Sequence, residues 1–160
     1  SKGTLINFLT KGLSRTAVIL SKYTSMALIW TISIVLCFGL TYGYTAYLFP
    51  ENETSNLLFS VFCLWMFGLF LLATLIFSAT LTKSSYGCLL ITGIVVVACM
   101  IIDIIPTMHK YNPISLVTDN MGLIMNSIEV SSLYSAIPIS ILLSILFMLL
   151  SLVVFRKKQL

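Results

Sequence analysis

Residues 57–81 read LLFSVFCLWMFGLFLLATLIFSATL, 25 residues without a single charge. At 1.5 Å per residue an α-helix of that length reaches about 38 Å, enough to cross a hydrocarbon core of about 30 Å with some tilt. The stretch has no alternation that would make it a strand, and no polar face that would let it lie on a soluble core. It reads as a membrane span. Upstream, residues 24–49 form a second uncharged block, ending in Tyr42, Tyr44 and Tyr47, the aromatic belt expected at headgroup level. Downstream, residues 87–105 and 133–155 complete a set of four. The third carries its only charge, Asp103, close to one end, and the fourth closes on Arg156, Lys157 and Lys158. With 59% hydrophobic and 9% charged residues, and mean hydropathy +1.07, composition agrees with the spans, since soluble domains carry about 25% charged residues. The fold class expected is an all-α integral membrane protein, a polytopic helical bundle.

Four spans return the chain to the side from which it started. Lys2, Lys11, Arg15, Lys22, Lys83, Arg156, Lys157 and Lys158 then share one side and Lys110 alone lies opposite, so eight of the nine basic residues agree. The positive-inside rule makes that side cytoplasmic. The five acids, Glu51, Glu53, Asp103, Asp119 and Glu129, fall on the other side or at its boundary. The net charge of +4 therefore reports topology and headgroup attraction, with no nucleic-acid partner implied. The localisation expected is a multi-pass plasma membrane, in a bacterium the cytoplasmic membrane, with both ends of the segment cytoplasmic.

The connections carry less. Residues 50–56 (PENETSN) are little more than a turn, with a weak glycosylation sequon at Asn52-Glu53-Thr54, and residues 82–86 are a second turn. Residues 106–132 form the longest interruption. Asn112-Pro113 resembles a cap and first helical position, Ile114, Val117, Met121 and Ile124 come next at helical spacing, and Gly122 is a candidate break. One or two short helices are expected there, lying on the outer surface or dipping into the membrane. Residues 156–160 form a cytoplasmic tail.

Within the spans, Gly39 and Gly43 form a GxxxG pair that would let another helix approach closely. Ser140, Ser144 and Ser151 share roughly one helix face, either to hydrogen-bond a neighbouring helix or to line an aqueous path. The cysteines Cys37, Cys63, Cys88 and Cys99 all lie in apolar blocks without metal or redox spacing, so no metal, cofactor or disulfide is expected. No ionisable residue stands in mid-span, which argues against a self-sufficient ion-coupled pump. No phosphate-binding glycine loop and no nucleophile–base pair is present, so catalysis is not expected. His109, the one histidine, beside Lys110, reads as a solvated loop residue.

The remaining stretch, GTLINFLTKGLSRTAVILSK over residues 3–22, has many positive charges and no span-length apolar block. Leu5, Phe8 and Leu9 stand at i, i+3 and i+4 on one helical face. Gly12 suits a break, and Ser14 suits the N-cap of the first span's helix. Lys11, Arg15 and Lys22 are spaced to share a face near the headgroups. Residues 1–23 are thus expected to form a cytoplasmic amphipathic helix and an elbow. Two readings stand: a handle for a soluble partner, or an interfacial anchor binding only lipid.

Gly3-Thr4-Leu5, then Leu9-Thr10-Lys11-Gly12-Leu13-Ser14-Arg15-Thr16, then Lys22 at the mouth of a span, resembles the coupling-helix region of ABC type-2 transporter permeases. The order of three spans, a "YNP" stretch (Tyr111-Asn112-Pro113), a final span and a basic tail is similar to that family over essentially the whole 160 residues. Gly12 departs from the family's usual Pro. The resemblance implies a six-span permease whose first two spans precede this segment, in keeping with a chain that starts at Ser1 without Met. It implies a separate ATP-binding cassette subunit as partner and a second permease copy, as homo- or heterodimer. Thr4, Leu5, Phe8, Leu9 and Lys11 would then contact the ATPase, Ser14 and Arg15 would brace the elbow, and Asn112 and Pro113 would belong to an outer re-entrant segment. Other function classes open at this point are a membrane immunity or sensor protein on the same scaffold, and a small four-span channel or carrier.

Overall fold

A computed structural model describes residues 15–50 and 56–157, with Arg15 described by its backbone only. Thr4, Leu5, Phe8, Leu9, Lys11 and Ser14 therefore lie outside the described residues, as do the side chain of Arg15 and the glycosylation sequon. Eight helical elements succeed one another, and no strand occurs among the described residues. The long ones are α1 (Arg15–Leu48), α2 (Leu57–Leu81), α3 (Ser85–Asp103) and α7 (Ala136–Lys157). Between α3 and α7 lie the short helices α4 (Pro106–His109), α5 (Ser115–Thr118) and α6 (Asn120–Ile124), and a 3-10 turn at Val130–Leu133. The four long helices are each long and apolar enough to cross a membrane, as expected of an all-α membrane protein. Lys22, Lys83, Arg156 and Lys157 mark one end of the bundle. The short helices cap the other.

Element boundaries reflect local chemistry. α1 runs unbroken from Arg15 to Leu48, one rod of 34 residues. α3 stops at Asp103, two residues before the sequence pattern ends, because Pro106 disfavours helical backbone at the residue ahead of it. Ile105 is extended, at ψ 113°, and Pro106 starts α4. α7 begins at Ala136 and tolerates Pro138 in its first turn, where the missing N–H has no intrahelical partner to lose. Hydroxyls inside the spans bond back to their own helices, as with Thr31 to Ala27 O at 2.8 Å, Thr74 to Phe70 O at 2.9 Å and Ser140 to Ala136 O at 2.8 Å. Such bonds satisfy the donors of these residues within lipid.

α2 is the axis. In its most apolar stretch 44% of residues are buried, far more than in the corresponding stretch of α1 or α3. It packs most extensively on α7, then on α3 and α1, and it also carries α5 and α6. Two apolar clusters are stacked along it. Towards the cap, Cys63 and Met66 pack with Leu116, Leu123, Leu133 and Ala136. Towards the basic end, Ala73 and Ile76 pack with Ile19 and Met148, flanked by Phe147, whose ring lies 5.9 Å from Phe70 and 5.4 Å from Phe77. The outward faces carry Leu28, Ile32, Leu36, Leu89, Ile94, Leu142 and Ile145, all exposed, a surface that suits lipid and not water.

The α1–α2 crossing is built on one glycine. The Trp30 indole lies directly on Gly68, so closely that a Cβ there would collide with the ring. Its Nε1–H donates to Trp65 O at 3.3 Å, while Trp65 Nε1–H donates to Thr31 Oγ1 at 2.9 Å. Tyr23 adds a hydroxyl bond to Leu69 O at 3.3 Å. Beyond this crossing α1 diverges from α2, leaving a groove of about 820 Å³ between its far end and the start of α2, lined by residues that include Phe38, Tyr42, Phe49 and Leu57.

Candidate functional site

The cap, residues 104–135, carries His109, Asn112, Asp119, Asn120 and Asn126 at its end of the bundle. Three polar ties hold it to the spans. The first is at the start of α2, where Asn56 Nδ2 donates to Asn126 Oδ1 at 3.2 Å. Both asparagines have left-handed backbone, φ 58° and 57°, which asparagine adopts more readily than other side-chain-bearing residues. The second is reciprocal. Ser60 Oγ donates to Asn120 Oδ1 at 2.7 Å and Asn120 Nδ2 donates back to Ser60 O at 2.8 Å. Beside them, Leu116 and Leu123 are fully buried, so hydrophobic packing and hydrogen bonds fix the same register.

The third tie contains the charges. His109 on α4 stands between two carboxylates, Nδ1 at 2.8 Å from Asp103 Oδ1 and Nε2 at 2.8 Å from Asp119 Oδ2. Asp103 ends α3 and Asp119 lies between α5 and α6, so one imidazole joins three elements. The side chains of His109, Asp103 and Asp119 are 32%, 17% and 16% exposed. His109 is thus not the solvated loop residue that its position beside Lys110 indicated. The ring is a bridge. Burial lowers its pKa, but hydrogen bonds to Asp119 and Asp103 and the charges of both carboxylates outweigh that and raise it above the ordinary 6.5.

Asn112 supports the bridge. Its Nδ2 donates to Cys99 O at 2.6 Å and lies 3.4 Å from Asp103 Oδ1, and its Oδ1 accepts from Ile114 N at 3.3 Å. Asn112-Pro113 therefore forms a buried Asx-type turn, not a cap and first helical position, and α5 starts at Ser115. The carboxamide that the sequence pattern assigned to capping is committed to closing the end of α3. Gly122 does not break its run either. α6 continues to Ile124, and the Gly122 carbonyl then accepts from Ser127 N and Ile128 N at 2.9 and 3.2 Å.

The other residues singled out in the sequence fall elsewhere. Ser140 and Ser151 are fully buried and Ser144 half-buried. Ser144 bonds to Ser140 O at 2.7 Å, and Ser151 Oγ is buried with no hydrogen-bond partner. Gly39 and Gly43 are exposed, and a Cβ at either position would meet nothing within 4 Å. They lie on the part of α1 that has left the bundle. The structure does not bring the serines, the glycines and the cap into one site.

Chemically, the cap can hold and release a proton. Both nitrogens of its one imidazole are engaged by carboxylates. Among the described residues no group of histidine, cysteine and acidic side chains is placed to hold a metal ion. The Asp103–His109–Asp119 bridge was missed in the sequence. A usable signal was present, two aspartates within ten residues of a lone histidine at the boundary of a span. No family model, no curated protein and no solved structure matches the chain.

Proposed function

We propose that this chain is the C-terminal, four-span portion of a permease subunit of an ATP-binding-cassette exporter, placed in the plasma membrane with its basic end cytoplasmic. A separate ATP-binding subunit would supply the energy and a second permease copy would complete the substrate path. The observation that carries the reading is the sequence from Gly3 to Thr16, with Lys22, which resembles a coupling helix and its elbow and runs directly into α1. Support comes from what α1 is. An unbroken helix from Arg15 to Leu48, packed on α2 and α7 near its basic end and unpacked beyond Trp30–Gly68, transmits a push at one end as a tilt at the other. ATP-driven closure of the partner would press on Leu5, Phe8 and Leu9 and rock α1 across the α2 axis. The absence of ionisable side chains from mid-span fits an energy source outside the membrane.

The arrangement requires residues 3–22 and the α2–α3 turn on the ATP side, and the cap opposite. Lys83→Cys and Lys110→Cys, at two exposed positions, test this in intact cells with a membrane-impermeant maleimide. Labelling above the unsubstituted background is expected at position 110 and not at position 83. Labelling of 83 from outside would remove the coupling stretch from the ATP side and overturn the proposal.

A further inference from the structure

We propose that the Asp103–His109–Asp119 bridge is a proton-dependent latch, which ties the α5–α6 junction to α4 and the end of α3 while the imidazole is a cation and lets that junction go when the cation is lost.

The geometry selects the charged ring. A neutral imidazole has one N–H and one bare lone pair, and only the imidazolium donates from both nitrogens. With carboxylate oxygens 2.8 Å from Nδ1 and from Nε2, a neutral ring would leave one nitrogen lone pair facing an anionic oxygen at hydrogen-bond distance. The two arms are not equivalent. Asp103 keeps a second donor in Asn112, and that carboxamide is itself anchored on Cys99 O. The Nε2–Asp119 arm is therefore the one that opens, with the remaining proton on Nδ1 facing Asp103.

The surroundings leave His109 in control. From α3 it is faced by Asp103, with the Cys99 thiol near that carboxylate, from the α5–α6 junction by Asp119, and its chain neighbour is the exposed Lys110. α2, on which α5 and α6 rest, contributes no acidic or basic residue over its whole length, and neither does α7 until Arg156 at the opposite end. Opening is local as well. Leu116 and Leu123 stay buried against α2, and the Ser60–Asn120 pair contains no titratable group. Release would thus raise the mobility of the segment between His109 and Asp119 about its remaining anchors, Asn112 and Leu116, and leave the bundle intact.

The direction with pH is set by the raised value of the bridged ring. The stabilisation is fully present below the ordinary histidine value of 6.5 and is lost as pH rises through the higher value set by the two carboxylates. The cap is latched in mild acid and released in mild base, on whichever side of the membrane it faces.

Hydrogen exchange of the full-length protein in lipid nanodiscs, at about pH 6 and about pH 9 with exchange times corrected for intrinsic rates, reads this directly. Peptides covering residues 104–119 are expected to lose protection several-fold at the higher pH, while peptides from α2 stay unchanged. His109→Gln should show the released level at both values, and His109→Arg, a permanent cation with several donors, the latched level at both. Because His109 is the one histidine of these 160 residues, its ring signal can be identified by difference from His109→Gln in NMR of labelled wild-type protein. Its titration midpoint should lie above 6.5 and coincide with the loss of protection. Equal protection of 104–119 at both pH values, a midpoint at or below the ordinary histidine value, or unchanged pH dependence in His109→Gln would each overturn the latch.

Discussion

Replacing Phe8 by aspartate is expected to abolish stimulation of the partner ATPase while leaving the protein inserted and folded in the membrane. Phe8 stands with Leu5 and Leu9 on the apolar face of the stretch that resembles a coupling helix. A charged carboxylate at the centre of an apolar docking face removes a buried anchor and leaves an unpaired charge, at a cost of about 2 kcal/mol or more in binding. That corresponds to roughly thirtyfold weaker engagement. Insertion should be untouched, because Phe8 precedes the first span-length helix, Thr16–Leu48. The measurement is ATP hydrolysis by the co-expressed partner, with membrane level of the permease as control. A Phe8→Asp protein that stimulates hydrolysis normally would remove the docking assignment.

The second large effect lies in the membrane. Gly68→Leu is expected to break the α1–α2 crossing, because a side chain at this position occupies the place of the Trp30 indole. Displacing the ring breaks its bond to Trp65 O and disturbs the Trp65 bond to Thr31. Overpacking costs about 1–3 kcal/mol and each lost hydrogen bond about 1 kcal/mol, so a loss of about 3 kcal/mol is expected in detergent unfolding. Trp30→Ala in the same chain relieves the collision, so the double variant should be less destabilised than the sum of the singles. Additive effects would show that indole and glycine do not meet. This loss would appear without any ATPase present, which separates it from the effect at Phe8.

How far the sequence could be read depended on the range of the signal. The spans were legible because membrane-length apolar blocks are contiguous, and residues 57–81 are the bounds of α2 in the structure. The Gly68–Trp30 contact was not. It depends on how two separate helices cross, and the short-range GxxxG pattern at Gly39 and Gly43 pointed to a face with no neighbour among the described residues. Which serine face packs was half legible. The seam of Ser140, Ser144 and Ser151 was visible as a stripe, but burial of Ser140 and Ser151 became evident only from the packing of α7 on α2. In the cap, periodicity failed because its helices are four or five residues long. Asn112 looked like a cap residue from its neighbour Pro113, whereas its carboxamide is used across 13 positions at Cys99. His109 has the polar Lys110 as chain neighbour, but its partners are six and ten residues away.

The most direct measurement of the central claim is affinity purification of the full-length protein in mild detergent, with the stoichiometry of whatever remains bound. An ATP-binding subunit retained at one copy per permease, and lost when Leu5 and Phe8 are made charged, is the result expected. Full-length protein that elutes without an ATP-binding subunit, and whose membranes show no hydrolysis dependent on it, would contradict the permease assignment and leave residues 3–22 as a lipid anchor.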